Sequence, residues 1–575
     1  MTVSSLVSAP GYVTSPDSAE SDFHLLRPWH DNEMRAEITN IAHAPARVST
    51  VTLYDWRCAF SEEARIYGEG FQMLSQTGGW LNNAEPIGRC DDGEVYRLYD
   101  RQAETRVYSM LLVEDAGQFH LLGFDSSSHF SGYFVIAGDR IKVCLDLENI
   151  TLEPYEATVL EGFVYLQGTD LPAVLDDFAR HLMQNHPREP YERLPRGWCS
   201  WYHYYENVSA QDVLENLEAL KDYPQLEFIQ IDDGYQAFMG DWLTPSDKFQ
   251  GGVRSLVDQI RAGGKRAGIW VAPFIAQRES HIFQAHPDWF VKDTNGYPLA
   301  AENVTYGGWR CTPWYILDGT HPGVINYLKH VIGTMRHEWG VDYFKLDANF
   351  WGAIHGGVFH RPNATRIEAY REGMAAINEA ADGAFILGCN APMWPSLGLV
   401  DGMRVSDDVE RHWHRFNQIR EETFMRNWQH GRLWLNDPDC LVLNCIEGQH
   451  AEEEHFRLHL AAIVGSAGIL MLGDRLNALT DKQRESVHTV SRLLDSDYGA
   501  ARFQTFDTQM GISENKLGRL ICLTNAASEP HRRKITLRPG EQVNMILAGN
   551  YRKTDDTVEV NLSGYDGALI ELVRS

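Results

Sequence analysis

The sequence predicts a central (β/α)8 barrel, a TIM barrel, preceded by an N-terminal β-sandwich and followed by a small C-terminal antiparallel β-domain. Three observations carry this. Over residues 191–494, eight short apolar runs ending in polar residues alternate with stretches of helical periodicity, as eight strand–helix units require. Residues 1–190 show period-two alternation broken by Gly, Asn and Asp, the pattern of packed antiparallel sheets. Alternation returns over 495–575. A chain of 575 residues also exceeds what one hydrophobic core holds.

In the N-terminal region the alternating runs are Arg47 to Leu53, Thr105 to Leu112, Tyr133 to Leu145 and Tyr155 to Leu166. Helical spacing first becomes clear at Leu171 to Met183, the expected linking helix. The eight barrel runs begin at Gly197, Phe228, Ala267, Tyr343, Phe385, Met403, Leu433 and Ile469. Between them Ser209 to Lys221, Val324 to Trp339, Thr365 to Ala381 and Ala451 to Val464 carry apolar residues at helical spacing. A doubly wound sheet would alternate too, but with fewer strands. In the C-terminal region Arg519 to Thr524, Lys534 to Leu537, Asp556 to Asn561 and Ala568 to Val573 read as strands.

A net charge of -28 repels phosphate backbones and anionic lipid, so nucleic acid and membrane partners are not expected, and a neutral substrate is. The nine cysteines are scattered without a CxxC pair. Met1 to Phe23 holds neither Lys, Arg nor an apolar core, and the longest apolar run, Ala461 to Leu472, is too short to span a bilayer. A cytoplasmic protein is therefore expected; a homo-oligomer is compatible with the sequence.

In this architecture the C-terminal strand ends carry the active site. Here they hold Asp232, Asp233, Asp347, Asp407, Asp408, Asp437, Asp439 and Asp474. Single acids at such ends can be helix N-caps, but eight on one rim point to a site that meets developing positive charge. Metal-assisted hydrolysis wants converging His and carboxylate ligands. The strand ends carry almost no His, and the one HxH, His412-Trp413-His414, is a weak signal. Glycoside hydrolysis uses two carboxyls flanking an oxocarbenium-like transition state; it requires no metal or other cofactor, and the rim aromatics Trp201, Tyr202, Trp270 and Trp351 suit a sugar.

The runs also form recognisable motifs: Cys199-Ser200-Trp201-Tyr202, Gln230-Ile231-Asp232-Asp233, Gly268-Ile269-Trp270-x-Ala272-Pro273-Phe274, Tyr343-Phe344-Lys345-Leu346-Asp347, Gly388-Cys389, Arg404-x-x-x-Asp408 and Trp434-Leu435-Asn436-Asp437-Pro438-Asp439-Cys440. In this order they resemble the α-galactosidases of glycoside hydrolase family 36, in clan D. The resemblance covers the barrel. It implies a retaining α-galactosidase acting on terminal non-reducing α-D-galactosyl residues of small oligosaccharides.

By that resemblance Asp347 is the nucleophile and Asp408 the general acid/base, chosen over Asp407 by the Arg-x-x-x-Asp spacing. Lys345, two residues before Asp347, falls on the same strand face and is expected to hold the Asp347 pKa low. Asp408 is expected to have a raised pKa, pushed by Asp347 at the ~5–5.5 Å separation of retaining pairs. Asp232 and Asp233 are expected to bind sugar hydroxyls together, Trp270 to stack beneath the ring, Cys389 and Arg404 to line the floor, and Trp201 to flank the site. Relatives also place a Trp from the N-terminal sandwich over the sugar. The comparable stretch here, Gly70 to Ser75, lacks it, and Trp80 is the substitute considered. This departure leaves two alternatives open, a modified sugar such as α-N-acetylgalactosamine and a raffinose-synthase-like galactosyl transfer.

Overall fold

The computed structural model describes residues 3–191, 193–446 and 448–574. Its N-terminal region is built on a 12-stranded sheet whose longest pair is Ala46–Arg57 against Arg140–Leu152, antiparallel. A three-stranded sheet of Ala157–Val159, Glu37–Asn40 and Phe23–Leu26 faces it. Phe23 and Ile38 from the small sheet share one buried core with Val48, Leu53 and Phe134 from the large one, so this is a sandwich.

Two of the expected single runs are each two strands. Tyr133 to Leu145 folds into Ser131–Ala137 and Arg140–Leu152, because Gly138 takes φ 61 and reverses the chain. Tyr155 to Leu166 splits into Ala157–Val159 and Phe163–Gly168, which lie in different sheets. The linking helix, Leu171–Asn185, is N-capped by the Asp170 carboxylate, which accepts from the Ala173 N–H. Its apolar face, with Phe178 and Leu182, joins the second face of the large sheet to the barrel core.

The barrel strands are β1 (Arg196–Cys199), β2 (Phe228–Ile231), β3 (Arg266–Val271), β4 (Val341–Leu346), β5 (Phe385–Gly388), β6 (Gly402–Arg404), β7 (Leu435–Asp437) and β8 (Leu470–Leu472). All neighbouring pairs are parallel, in the order β7-β6-β5-β4-β3-β2-β1-β8. Between β7 and β8 the ring is drawn together by Ile469 N–H to the Asn436 carbonyl at 2.9 Å and, just past β7, by Leu441 N–H to the Met471 carbonyl at 2.8 Å.

Period two sorts the side chains. Phe228, Tyr343, Phe385 and Met471 meet inside the barrel, with Tyr343 stacked on Phe385 at 5.2 Å. Ile229, Ile231, Phe344 and Leu346 point outward into the core shared with the helices. Continuing the same parity past the strand ends sends Lys345 and Asp347 to the inside, above the aromatic plug.

The helices form where the periodicity predicts. Ala210–Ala219 and Arg366–Ala381 start with capping boxes on Ser209 and Thr365. Pro322–Gly333 runs on as a π-helical turn, Thr334–Trp339. Glu453–Ser466 completes the expected set. Beyond it, four- and three-stranded antiparallel sheets share a core of Ile521, Leu523, Ile535, Val558 and Ile570. Among the described residues no helix is long and apolar enough to cross a membrane.

Candidate active site

Asp347 follows β4 directly. Its two oxygens are held separately: Oδ1 accepts from the Ala348 N–H at 2.6 Å and Oδ2 from Trp270 Nε1 at 3.0 Å. Ala348 sits at φ 53, and the turns after β5 and β7 use Asn390 at φ 41 and Asp439 at φ 73. Left-handed non-glycine residues carry strain of order 1–3 kcal/mol, which persists where the surroundings enforce a geometry.

Asp408 is close enough to Asp347 for its carboxylate to raise the Asp347 pKa. Its Oδ1 accepts from Arg404 Nη2 at 2.7 Å, and 53% of its side-chain surface is open although protein surrounds it. The same Arg404 nitrogen donates to Asp439 Oδ2 at 2.7 Å. Asp439 also receives the Tyr202 hydroxyl and the Val409 N–H. Arg404 is thus buried between two carboxylates, with its Nη1 3.8 Å from the Cys389 sulfur. Cys389 and Arg404 do lie side by side, as expected for the floor.

The consecutive acids after β2, expected to bind sugar hydroxyls together, take different protein partners. Asp232 turns inward and takes Lys345 Nζ at 2.9 Å. Asp233, one residue on, turns away and is gripped through both oxygens by Arg310, with Gln236 Nε2 at 2.7 Å. The alternation that aligns Lys345 with Asp347 is what separates Asp232 from Asp233.

The expected charge states are also revised. Burial raises the Asp347 pKa, and the Asp408 carboxylate raises it further; Lys345 and the Trp270 N–H oppose this without cancelling it. Lys345 holds Asp347 less firmly than expected because its ammonium is engaged by Asp232. At Asp408 burial pushes upward, but the Arg404 guanidinium and the Lys345 ammonium outweigh it and hold the carboxyl below the ordinary value. Asp437, which forms no ion pair among the described residues, is pushed up to about 6 by burial and by neighbouring Asp439, against the pull of Arg404.

Asp407 is distinguished from Asp408 by its partners. Its carboxylate is consumed by Arg89 Nε at 2.7 Å and Arg415 Nη1 at 2.5 Å. Asp474 is likewise committed, to Arg411 at 3.0 Å and to the N–H groups of Leu443 and Asn444. The rim is therefore not a ring of repelling acids. Most are neutralised by buried guanidinium or ammonium groups.

Trp270 corrects the stacking expectation: it is 1% exposed, packs edge-on against Trp242 at 5.7 Å, and touches Asp347 through its N–H. Trp201 opens the short helix after β1 and meets Tyr205 edge-on at 5.3 Å; it is the next residue, Tyr202, that reaches the carboxylate network. Trp351 is buried, in ring contact with Tyr96, Tyr306, Trp309 and Trp314. Trp80 sits on a sheet hairpin with the Arg65 guanidinium over its ring. What the N-terminal region brings to the barrel face instead is Tyr96, whose hydroxyl donates to Asn390 Oδ1 at 2.8 Å, and Met73, whose N–H donates to the Ala391 carbonyl. His412 and His414 stack at 5.1 Å and belong to no cluster with metal-ligand geometry among the described residues.

Residues 197–371 match the family model Melibiase. The barrel carries a Melibiase domain. Among curated proteins, the chain is 26% identical to an α-galactosidase of Escherichia coli over 187 residues, 31% of this chain and 25% of that one. It is 25% identical to the A type blood α-D-galactosamine galactosaminidase of Flavonifractor plautii over 36% of this chain and 21% of that one. The matches thus span about a quarter of the curated relatives' lengths. Solved structures extend the likeness in fold. The α-galactosidase of Thermus thermophilus superposes with a TM-score of 0.65 at 24% identity, covering 85% of this chain and 97% of that one. The family 36 α-galactosidase AgaA of Geobacillus stearothermophilus does so with a TM-score of 0.67 at 13% identity, covering 99% and 87%. The family resemblance and the three-part fold expected from the motifs are both borne out.

Proposed function

We propose that this chain hydrolyses terminal α-D-galactosyl residues of small oligosaccharides with net retention. The observation that supports this most is the unequal treatment of the rim acids. Asp347 is oriented by two N–H donors and forms no ion pair among the described residues, while Asp408 is its half-open carboxylate neighbour. A nucleophile and an acid/base need this asymmetry.

In the first step an Asp347 oxygen forms a bond to C1 from the β face, the C1–O bond to the leaving group breaks, and the proton of Asp408 goes to the leaving oxygen. In the second, Asp408 takes a proton from water, the water oxygen bonds to C1, and the Asp347 ester bond breaks. A sugar seated on Asp408 strips water from its open side, which favours the protonated form the first step needs. Asp232, backed by Lys345, is positioned to accept sugar hydroxyls. The Thermus relative has been solved in complex with p-nitrophenyl α-D-galactopyranoside and with stachyose, and a variant of the Geobacillus relative with raffinose, which supports the substrate class. All nine cysteines are free thiols, which fits a reducing, cytoplasmic setting.

The test is Asp347→Gly, assayed with azide on a galactoside bearing a good leaving group. Retention through Asp347 yields β-galactosyl azide; an α-azide refutes it. The similarity to the Flavonifractor galactosaminidase favours one second reading, an amino or N-acetylamino galactose at the same site. Nitrophenyl α-glycosides of galactose, N-acetylgalactosamine, glucose and xylose separate the two. Product analysis with an added sugar acceptor separates hydrolysis from galactosyl transfer, which shares the first step.

A further inference from the structure

Two adjacent carboxylates follow β6, and their negative charges destabilise one another unless one is compensated. Asp407 is compensated from two directions. Arg415, on the helix Trp413–Met425, is 4% exposed and also pairs with Glu410 at 2.8 Å. Arg89 comes from the N-terminal region, just after the strand Asn83–Ile87. Its Nε reaches Asp407 Oδ2 at 2.7 Å, and its Nη2 lies 3.5 Å from Oδ1. The crossing is tight: Gly88 takes φ 87, and a Cβ there would lie 2.3 Å from Glu422 Oε1, so only glycine lets this segment approach so closely.

Asp407 in turn holds Asp408. Its Oδ1 accepts the Asp408 N–H at 2.7 Å, and its own N–H donates to Glu422 Oε2 at 2.8 Å. A line of charge-assisted hydrogen bonds therefore runs from the N-terminal sheet through Asp407 into the main chain of Asp408. We propose that Arg89 is a positioning residue that, through Asp407, sets the placement of Asp408 for proton transfer. This rests on the reading of Asp408 as acid/base.

The consequence for charge follows from the full set of neighbours. Asp408 faces Arg404, Lys345, Tyr202, Asp347, Asp439 and Cys389. Asp407 faces Arg89, Arg415, Glu410, Glu422 and Cys90. Removing Arg89 subtracts one cation from this balance and leaves the Asp407 carboxylate less compensated beside Asp408. Asp408 then holds its proton to higher pH, while its carboxyl is less well aimed.

The experiment compares Arg89→Met, Arg89→Gln and Arg89→Lys with the parent chain, using kcat/KM so that only the first chemical step is read. A 2,4-dinitrophenyl α-galactoside leaves without a proton; raffinose does not. Arg89→Met and Arg89→Gln lose roughly tenfold or more on raffinose and under about threefold on the dinitrophenyl substrate. The basic limb of their pH profiles moves up, and Arg89→Lys recovers most of the loss. Equal losses on both substrates, or an unmoved basic limb in a variant whose thermal midpoint is unchanged, overturn the proposal and leave a structural ion pair. Asp408→Asn is run alongside. If it shows no leaving-group dependence, the acid/base reading has failed and this inference falls with it; if it does and the Arg89 variants do not, only this inference fails.

Discussion

Trp270 Nε1 donates a 3.0 Å hydrogen bond to Asp347 Oδ2, from a ring that is itself buried against Trp242. The indole is thus a donor that orients the Asp347 carboxylate, not an open platform.

Trp270→Phe keeps a smaller aromatic ring and removes the donor. A hydrogen bond to a charged group contributes about 1.5–3 kcal/mol, so kcat/KM on a nitrophenyl galactoside is expected to fall roughly 10- to 100-fold. The Trp270 N–H lowers the Asp347 pKa. Losing it raises that pKa, so the acidic limb of the pH–rate profile moves to higher pH. An unmoved acidic limb argues against the donor role.

Asp408→Asn and Asp407→Asn separate the neighbours. The first removes the proton donor and is expected to cost about 10²- to 10⁴-fold on an alkyl galactoside. The second keeps a side chain between Arg89 and Arg415 and costs far less. Steady-state kinetics on raffinose decide it, and the reverse ranking reassigns the acid to Asp407.

The buried Lys345–Asp232 pair, 8% and 2% exposed in its side chains, cannot be halved cheaply. Lys345→Met strands a carboxylate out of water, at about 3–5 kcal/mol. The thermal unfolding midpoint is expected to drop and to recover in part when Asp232→Asn is added. Additive losses in the double variant show that the two groups are not coupled.

His459 sets part of the acid stability. It is fully buried, its Nε2 accepts the Val442 N–H at 3.2 Å, and its ring stacks on Phe416 at 4.4 Å. Burial, with Arg411 nearby, pushes its pKa down to about 3. The folded value lies below the unfolded one, about 6.5, so between these values the unfolded chain binds the extra proton. The contribution is complete above pH ~6.5 and is lost as pH falls toward 3, at about 1.4 kcal/mol per unit. His186 shifts the same way, to about 4. Melting curves at pH 7 and pH 5 are expected to differ, and His459→Gln, which keeps an acceptor but does not titrate, to differ less. An equally steep dependence in His459→Gln removes this histidine from the account.

The barrel strands were legible because their information is local. Period-two burial, a polar residue at each strand end and a capping residue before each helix are properties of consecutive residues. So is the shared face of Lys345 and Asp347. The Arg-x-x-x-Asp spacing also singled out Asp408, and the structure gives it the open side chain. Parity argued equally that Asp232 and Asp233 diverge, and the family motif obscured that signal.

Sequence alone thus determined the order of the sheets and helices and which carboxylates reach the barrel mouth, since hydrophobic periodicity and chain direction settle both. The tertiary structure decided which cation each carboxylate meets. Arg310 lies 77 residues from Asp233, and Arg89 lies 318 residues from Asp407. Those pairings, and with them the opposite pKa shifts of Asp347 and Asp408, arise from how loops and the N-terminal sheet close over the barrel. Coulombic and desolvation effects depend on distance in space, which no spacing along the chain encodes.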